Sequence, residues 1–165
     1  MFVVALIVVA MVLSTVACSS SSASNDVAAS AGDAEELSAG LYSQRMSDIC
    51  IATNTELDAL PTPPGEIGVV DWTAEVARLL GEEAMAFDEI QVGDDLRTDH
   101  ASLVENTDDQ AAQWAVLNEA LTQPEAAGAG ELIATARDEI AELSLGRNDL
   151  AVEMGLDGCQ ARPIS

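Results

Sequence analysis

From Asp33 onward the apolar residues recur in steps of three and four, and that spacing restricts the chain to helices. The first such stretch runs from about Ala34 to Leu60 through Leu37, Leu41, Met46, Ile49, Thr53, Leu57 and Leu60. Asp33 and Glu36 have the spacing of a capping box at its start, and Pro61, Pro63, Pro64 and Gly65 end it. The second runs from about Trp72 to Ile90 through Val76, Leu79, Leu80 and Phe87, with Asp71 as its expected cap and Gly93 as its break. The third runs from about Asp95 to Leu121 and includes Leu96, His100, Leu103, Thr107, Ala111, Trp114 and Leu117. Thr122 and Glu125 offer a second capping-box spacing around Pro124. The fourth starts near Glu131, after Gly128 and Gly130, and continues through Ile133, Ile140, Leu143, Leu150 and Met154 to a stop at Gly155, with Leu156 folding back. The one β-branched run of this region, Ile67 to Val70, is four residues long and contains Gly68. Four amphipathic helices with short connections predict an all-α, up-down-up-down four-helix bundle over residues 33–165.

What precedes the bundle is of another kind. Residues 1–17, MFVVALIVVAMVLSTVA, carry no charge, and at ~1.5 Å per residue they are short for a spanning helix. They fit the apolar region of a signal peptide with small residues at its processing site. Residues 18–32, rich in Ser and Ala and without an apolar face, are expected to form a flexible tether.

Ser14, Thr15, Val16 and Ala17 stand immediately before Cys18. This arrangement resembles the lipobox of bacterial lipoproteins. The resemblance covers about Leu13 to Cys18 and the tether behind it. It implies cleavage before Cys18, a diacylglyceryl group on the Cys18 sulfur, and a membrane-anchored domain facing away from the cytoplasm. Two acyl chains hold a protein on a membrane firmly, since each buried methylene contributes ~0.8 kcal/mol. Thr15-Val16-Ala17 also fits simple secretory cleavage, and an uncleaved anchor is the third reading.

Charge narrows the list of partners. Twenty-nine acidic residues stand against six basic ones, all arginine, for a net charge of −23. Nucleic-acid binding needs a basic footprint that this chain lacks, and docking on anionic lipid heads is disfavoured for the same reason. A negative surface attracts cations and basic partners, and it also serves solubility.

With Cys18 lipidated, Cys50 and Cys159 remain as a pair. In an oxidising compartment a disulfide between them is expected, closing a loop of 109 residues. In antiparallel packing, however, a straight fourth helix carries Cys159 more than ~10 Å past Cys50 along the axis, whereas a bridge needs Cα atoms within ~7 Å. The bridge therefore requires a break at Gly146 or an equivalent reversal of the tail. A break there puts Arg147, otherwise close to the fourth apolar stripe, at a surface junction.

The residues of common catalytic and cofactor motifs are missing. The single histidine, His100, lies on the apolar stripe of the third helix and reads as an interior or boundary side chain. It excludes the paired Glu-x-x-His pattern of di-iron bundles. Asp94-Asp95 and Asp108-Asp109 do not follow calcium-loop spacing. Trp72 and Trp114 sit at core spacing. No catalytic residue, cofactor or metal ligand is assigned. The expectation is a non-enzymatic, lipid-anchored envelope domain that contacts an envelope protein partner. The alternative is an extracytoplasmic bundle that binds a small ligand, haem or a metal through His100, with Met46, Met85 or Met154 opposite.

Overall fold

The computed structural model describes residues 39–61 and 66–160. The signal segment 1–17, the tether 18–32 and the Asp33–Glu36 capping box lie outside the described residues. Four helices follow one another: α1 (Ala39–Ala59), α2 (Glu66–Asp88), α3 (Arg97–Thr122) and α4 (Ala129–Glu153), with a closing 3-10 turn at Asp157–Cys159. Among the described residues there is no strand, and no helix is long and apolar enough to cross a membrane.

Cross-helix contacts fix the topology. Tyr42 near the start of α1 meets His100 near the start of α3, so those two helices run parallel. Glu83 and Arg147 align α2 with α4 in the same way. Trp72 at the start of α2 meets Trp114 late in α3, edge to face with ring centres 5.5 Å apart. Asn118 of α3 donates to the Val70 carbonyl and to Thr73 Oγ1 of α2. These pairings make an up-down-up-down bundle. The two tryptophans are packing residues, as their spacing predicts.

Several boundaries differ from the sequence expectation. α2 begins six residues before Trp72, so Asp71 lies inside the helix and the Ile67–Val70 run is helical. Three β-branched residues with no strand beside them have no ladder to join, and packing of α2 on α3 overrides their β preference. Thr122 ends α3 and donates to the Asn118 carbonyl instead of capping α4. In α1 it is Tyr42 and not Leu41 that faces inward; Leu41 is more than half exposed.

The bundle interior has three levels. At one end Tyr42, Met46, Cys50, Phe87, Ile90, Leu103, Ala151, Leu156 and Cys159 form an apolar cluster. At the other, Val76, Leu80, Trp114, Leu117 and Ala136 form a second, flanked by Leu57, Leu60, Ile133 and Ile140. Between them every helix contributes polar side chains: Thr53, Glu83, Thr107 and Gln110, and Arg147, all buried, with half-buried Ser144 beside them.

Cys50 and Cys159 are joined by a disulfide, with Cα atoms 4.8 Å apart. No break at Gly146 delivers it. α4 continues through Gly146, because that glycine is a packing residue: a Cβ there would come 3.2 Å from Asn106 Nδ2 of α3. The reversal occurs after the helix. Gly155 adopts φ +68°, its N–H donates to the Val152 carbonyl, and the Leu156 N–H donates to the Ala151 carbonyl. These two bonds define a Schellman stop, and Leu156 tucks into the same cluster as Ala151. The tail then lies on α1. At Gly158 a Cβ would stand 3.0 Å from the Ser47 carbonyl oxygen, and Asn54 donates to the Gly158 carbonyl.

Replacing Cys50 and Cys159 together by Ala should lower stability by about 4–5 kcal/mol on the chain-entropy argument for a loop of this length. The check is the midpoint and slope of chemical denaturation. Gly155→Ala, forced into the left-handed region, should cost about 1–2 kcal/mol in the same assay, while Gly40→Ala, in open space, should not.

Candidate functional site

Two polar constellations in the bundle carry chemistry. The first is the middle level. Arg147 is 2% exposed. Its Nη1 and Nη2 each donate to one carboxylate oxygen of Glu83 at 2.7 Å, and its Nε donates to the Cys159 carbonyl at 3.2 Å. Nη2 also lies 3.9 Å from Cys50 Sγ. Arg147 is therefore interior and does not occupy a surface junction. With α4 unbroken at Gly146, its stripe points residue 147 at the core, and a carboxylate waits there. Burial pushes the Glu83 carboxyl above its ordinary value, while the charge and hydrogen bonds of Arg147 pull against that rise.

A stripe traced through apolar residues alone passes over Glu83, yet the sequence carries a signal for it. Val76, Leu80, Glu83, Phe87 and Ile90 follow steps of four, three, four and three. Glu83 fills a core position in its helix just as Arg147 does in α4. The neighbouring polar groups are satisfied locally. Thr107 donates to the Leu103 carbonyl, Ser144 to the Ile140 carbonyl, and Gln110 to Ser144 Oγ. Asn106 Oδ1 is buried without a hydrogen-bond partner among the described residues. Chemically the arrangement is a closed ion pair. Both Glu83 oxygens and the Nε, Nη1 and Nη2 of Arg147 are engaged within the protein.

The second constellation surrounds His100, which is interior as its stripe position predicts. Tyr42 Oη and His100 Nδ1 are 3.1 Å apart, and the rings meet edge to face. Burial, helped by the Asp99 carboxylate, pushes the Tyr42 phenol up to about 12, so the hydroxyl keeps its proton and donates. With that hydroxyl as the donor, Nδ1 accepts and the ring proton sits on Nε2, and the Phe87 carbonyl offers the ring a backbone hydrogen bond. Burial lowers the His100 pKa, against the opposing pull of Asp88 and that carbonyl. In this tautomer neither ring nitrogen has a lone pair to spare. Met46 is sealed in the disulfide cluster, whereas Met85 is largely exposed.

The outer edge of His100 reaches an open depression of about 530 Å³ between α2 and α3. Met85, Asp88, Val104, Glu105 and Asp108 line it with the imidazole, and Arg97 stands at its margin, paired with Asp94. Among the described residues no group of three or more His, Cys, Asp or Glu side chains is arranged to hold a metal ion. Asp94-Asp95 and Asp108-Asp109 lie on exposed surface. Of the candidate residues from sequence, the structure brings Cys50 and Cys159 together. It places His100 near the same cluster, against a tyrosine. Cys18 lies outside the described residues.

Comparison with known proteins finds no matching family model, no matching curated protein and no matching solved structure.

Removing one partner of the buried pair, by Glu83→Ala or Arg147→Ala, should destabilise the fold by about 3–5 kcal/mol, because the remaining charge is left unpaired in the interior. Glu83→Leu combined with Arg147→Met should recover most of that loss. Chemical denaturation of the two single variants and the double variant completes the comparison.

Proposed function

We propose that this chain is a lipid-anchored, extracytoplasmic helical domain that acts as a binding module and not as an enzyme. The observation that carries the reading is the Cys50–Cys159 disulfide. Such bonds persist in oxidising compartments. This one also uses two of the three cysteines and leaves Cys18, at the end of the apolar segment, outside that bridge.

The charge distribution favours a partner that is basic. Arg78 is held by Glu75 and Glu82, Arg97 by Asp94, and Arg147 by Glu83. Six arginines against 29 acidic residues leave a strongly negative exterior, so the domain's field draws cationic surfaces toward it. The acidic surface also gives the membrane little reason to hold the domain, which leaves attachment to the acyl chains on Cys18.

Expression of the full-length chain in a bacterium that processes lipoproteins tests the reading. The mature N-terminus should be Cys18 bearing a diacylglyceryl group by mass spectrometry, and the protein should enter the detergent phase on phase separation. Cys18→Ser should abolish both. An unmodified Cys18 on a water-soluble exported chain would remove the anchor and leave only export.

A further inference from the structure

The chain has one tyrosine and one histidine, and the fold presses them together. Their position matters for α1. Tyr42 is the one buried side chain that α1 contributes before Met46; Ala39, Gly40, Leu41, Gln44 and Arg45 are exposed and Ser43 is half-buried. The start of α1 is therefore held to the bundle chiefly through the Tyr42 ring and its bond to His100. Further along, the same helix is fixed covalently at Cys50.

His100 stands at a boundary. Its inner face meets Tyr42, and its outer edge lines the depression between α2 and α3. The titratable and charged groups around it come from three helices. α1 supplies the neutral Tyr42 hydroxyl. α2 supplies Asp88. α3 supplies Asp99, which acts on Tyr42, together with Glu105 and Asp108, and Arg97, whose charge is engaged by Asp94. Neutral imidazole suits the inner position, where Nδ1 must accept a hydrogen bond. Imidazolium cannot accept, and three carboxylates lie on its other side.

We propose that the Tyr42–His100 contact is an acid-sensitive clasp, in which protonation turns the imidazole from the tyrosine toward the carboxylate-lined depression and frees the first turns of α1. The position of His100 in the first turn of α3 adds to the effect, because the positive end of the helix dipole opposes a cation held in the closed arrangement. Folding lowers the His100 pKa from its ordinary 6.5, so the open form binds the proton more readily than the closed form. The closed arrangement is fully favoured above about pH 6.5 and loses ground as the pH falls toward the folded value. Between about pH 6.5 and 5 the charge change expected at this contact is protonation of the imidazole. This clasp does not depend on the anchor at Cys18.

The full-length chain in detergent micelles, labelled with carbon-13 histidine, gives a single imidazole signal to follow from pH 8 to 5. Amide exchange of the peptide covering residues 39–46, corrected for its intrinsic pH dependence, is measured alongside. The imidazole should be the Nε2–H tautomer at high pH and titrate with a midpoint below 6.5. Exchange at the start of α1 should rise on the order of tenfold between about pH 6.5 and 5. His100→Gln, which keeps an acceptor for Tyr42, should leave that exchange flat. Tyr42→Phe should move the midpoint back toward 6.5. Titration of His100 with no change in exchange at residues 39–46, or an equal rise in His100→Gln, would overturn the proposal. The wild-type titration decides the matter even if either variant fails to fold.

Discussion

The bidentate contact between Arg147 and Glu83 is the constraint around which the bundle is arranged. A guanidinium in an apolar interior is tolerated only when its donors are placed, and here three elements place them. α2 supplies both carboxylate oxygens, α4 supplies the arginine, and the tail supplies the Cys159 carbonyl for Nε. The tail must return for that bond to form, and its return brings Cys159 to Cys50. A buried pair of this kind adds little net stability over apolar residues of the same size, but displacing one partner is costly. Sliding α4 by one turn moves Arg147 about 5.4 Å into an apolar cluster. The two clusters above and below the polar level therefore share one register.

How far the sequence reveals this depends on whether a feature is local. The helices were legible because a 3.6-residue period needs no knowledge of neighbours. The interior place of His100 was legible for the same reason. The polar level was hidden because a stripe traced through apolar residues steps over Glu83 and treats Arg147 as an anomaly. Both occupy core positions in their own helices, and only the packing of α2 beside α4 shows that they match. Gly146 illustrates the same limit. Glycine inside a helix serves equally as a break or as room for a close neighbour, and the neighbour, Asn106, is forty residues away on another helix. At the end of α4 the signal was sufficient, since a glycine followed by a leucine already specifies the stop that Gly155 and Leu156 make.

The four helices are not equivalent. α2, α3 and α4 pack along their lengths in sequence order, whereas the backbones of α1 and α4 do not come into contact, and the 3-10 turn of the tail lies against both. The first half of α1 is held by the Tyr42 ring and the cluster around Met46, and its second half by the disulfide, Thr53, Asn54 and Leu57. Before Met46 only Tyr42 is buried, so the start of α1 is the part of the helix with the fewest ties to the other three. The polar features of the domain follow the same division. The ion pair joins α2, α4 and the tail, while the tyrosine–histidine contact sits where α1 begins.

The disulfide has a mechanical consequence. It joins α1 just past its midpoint to the tail that follows α4, so the 109-residue loop between the two sulfurs is closed covalently. A pull that enters the domain ahead of Ala39 and leaves through the residues after Cys159 runs along α1 as far as Cys50 and then crosses directly to the tail. α2, α3, α4 and the ion pair between them lie off that line of tension. Under such a load the first half of α1 can extend, and the rest of the bundle keeps its shape.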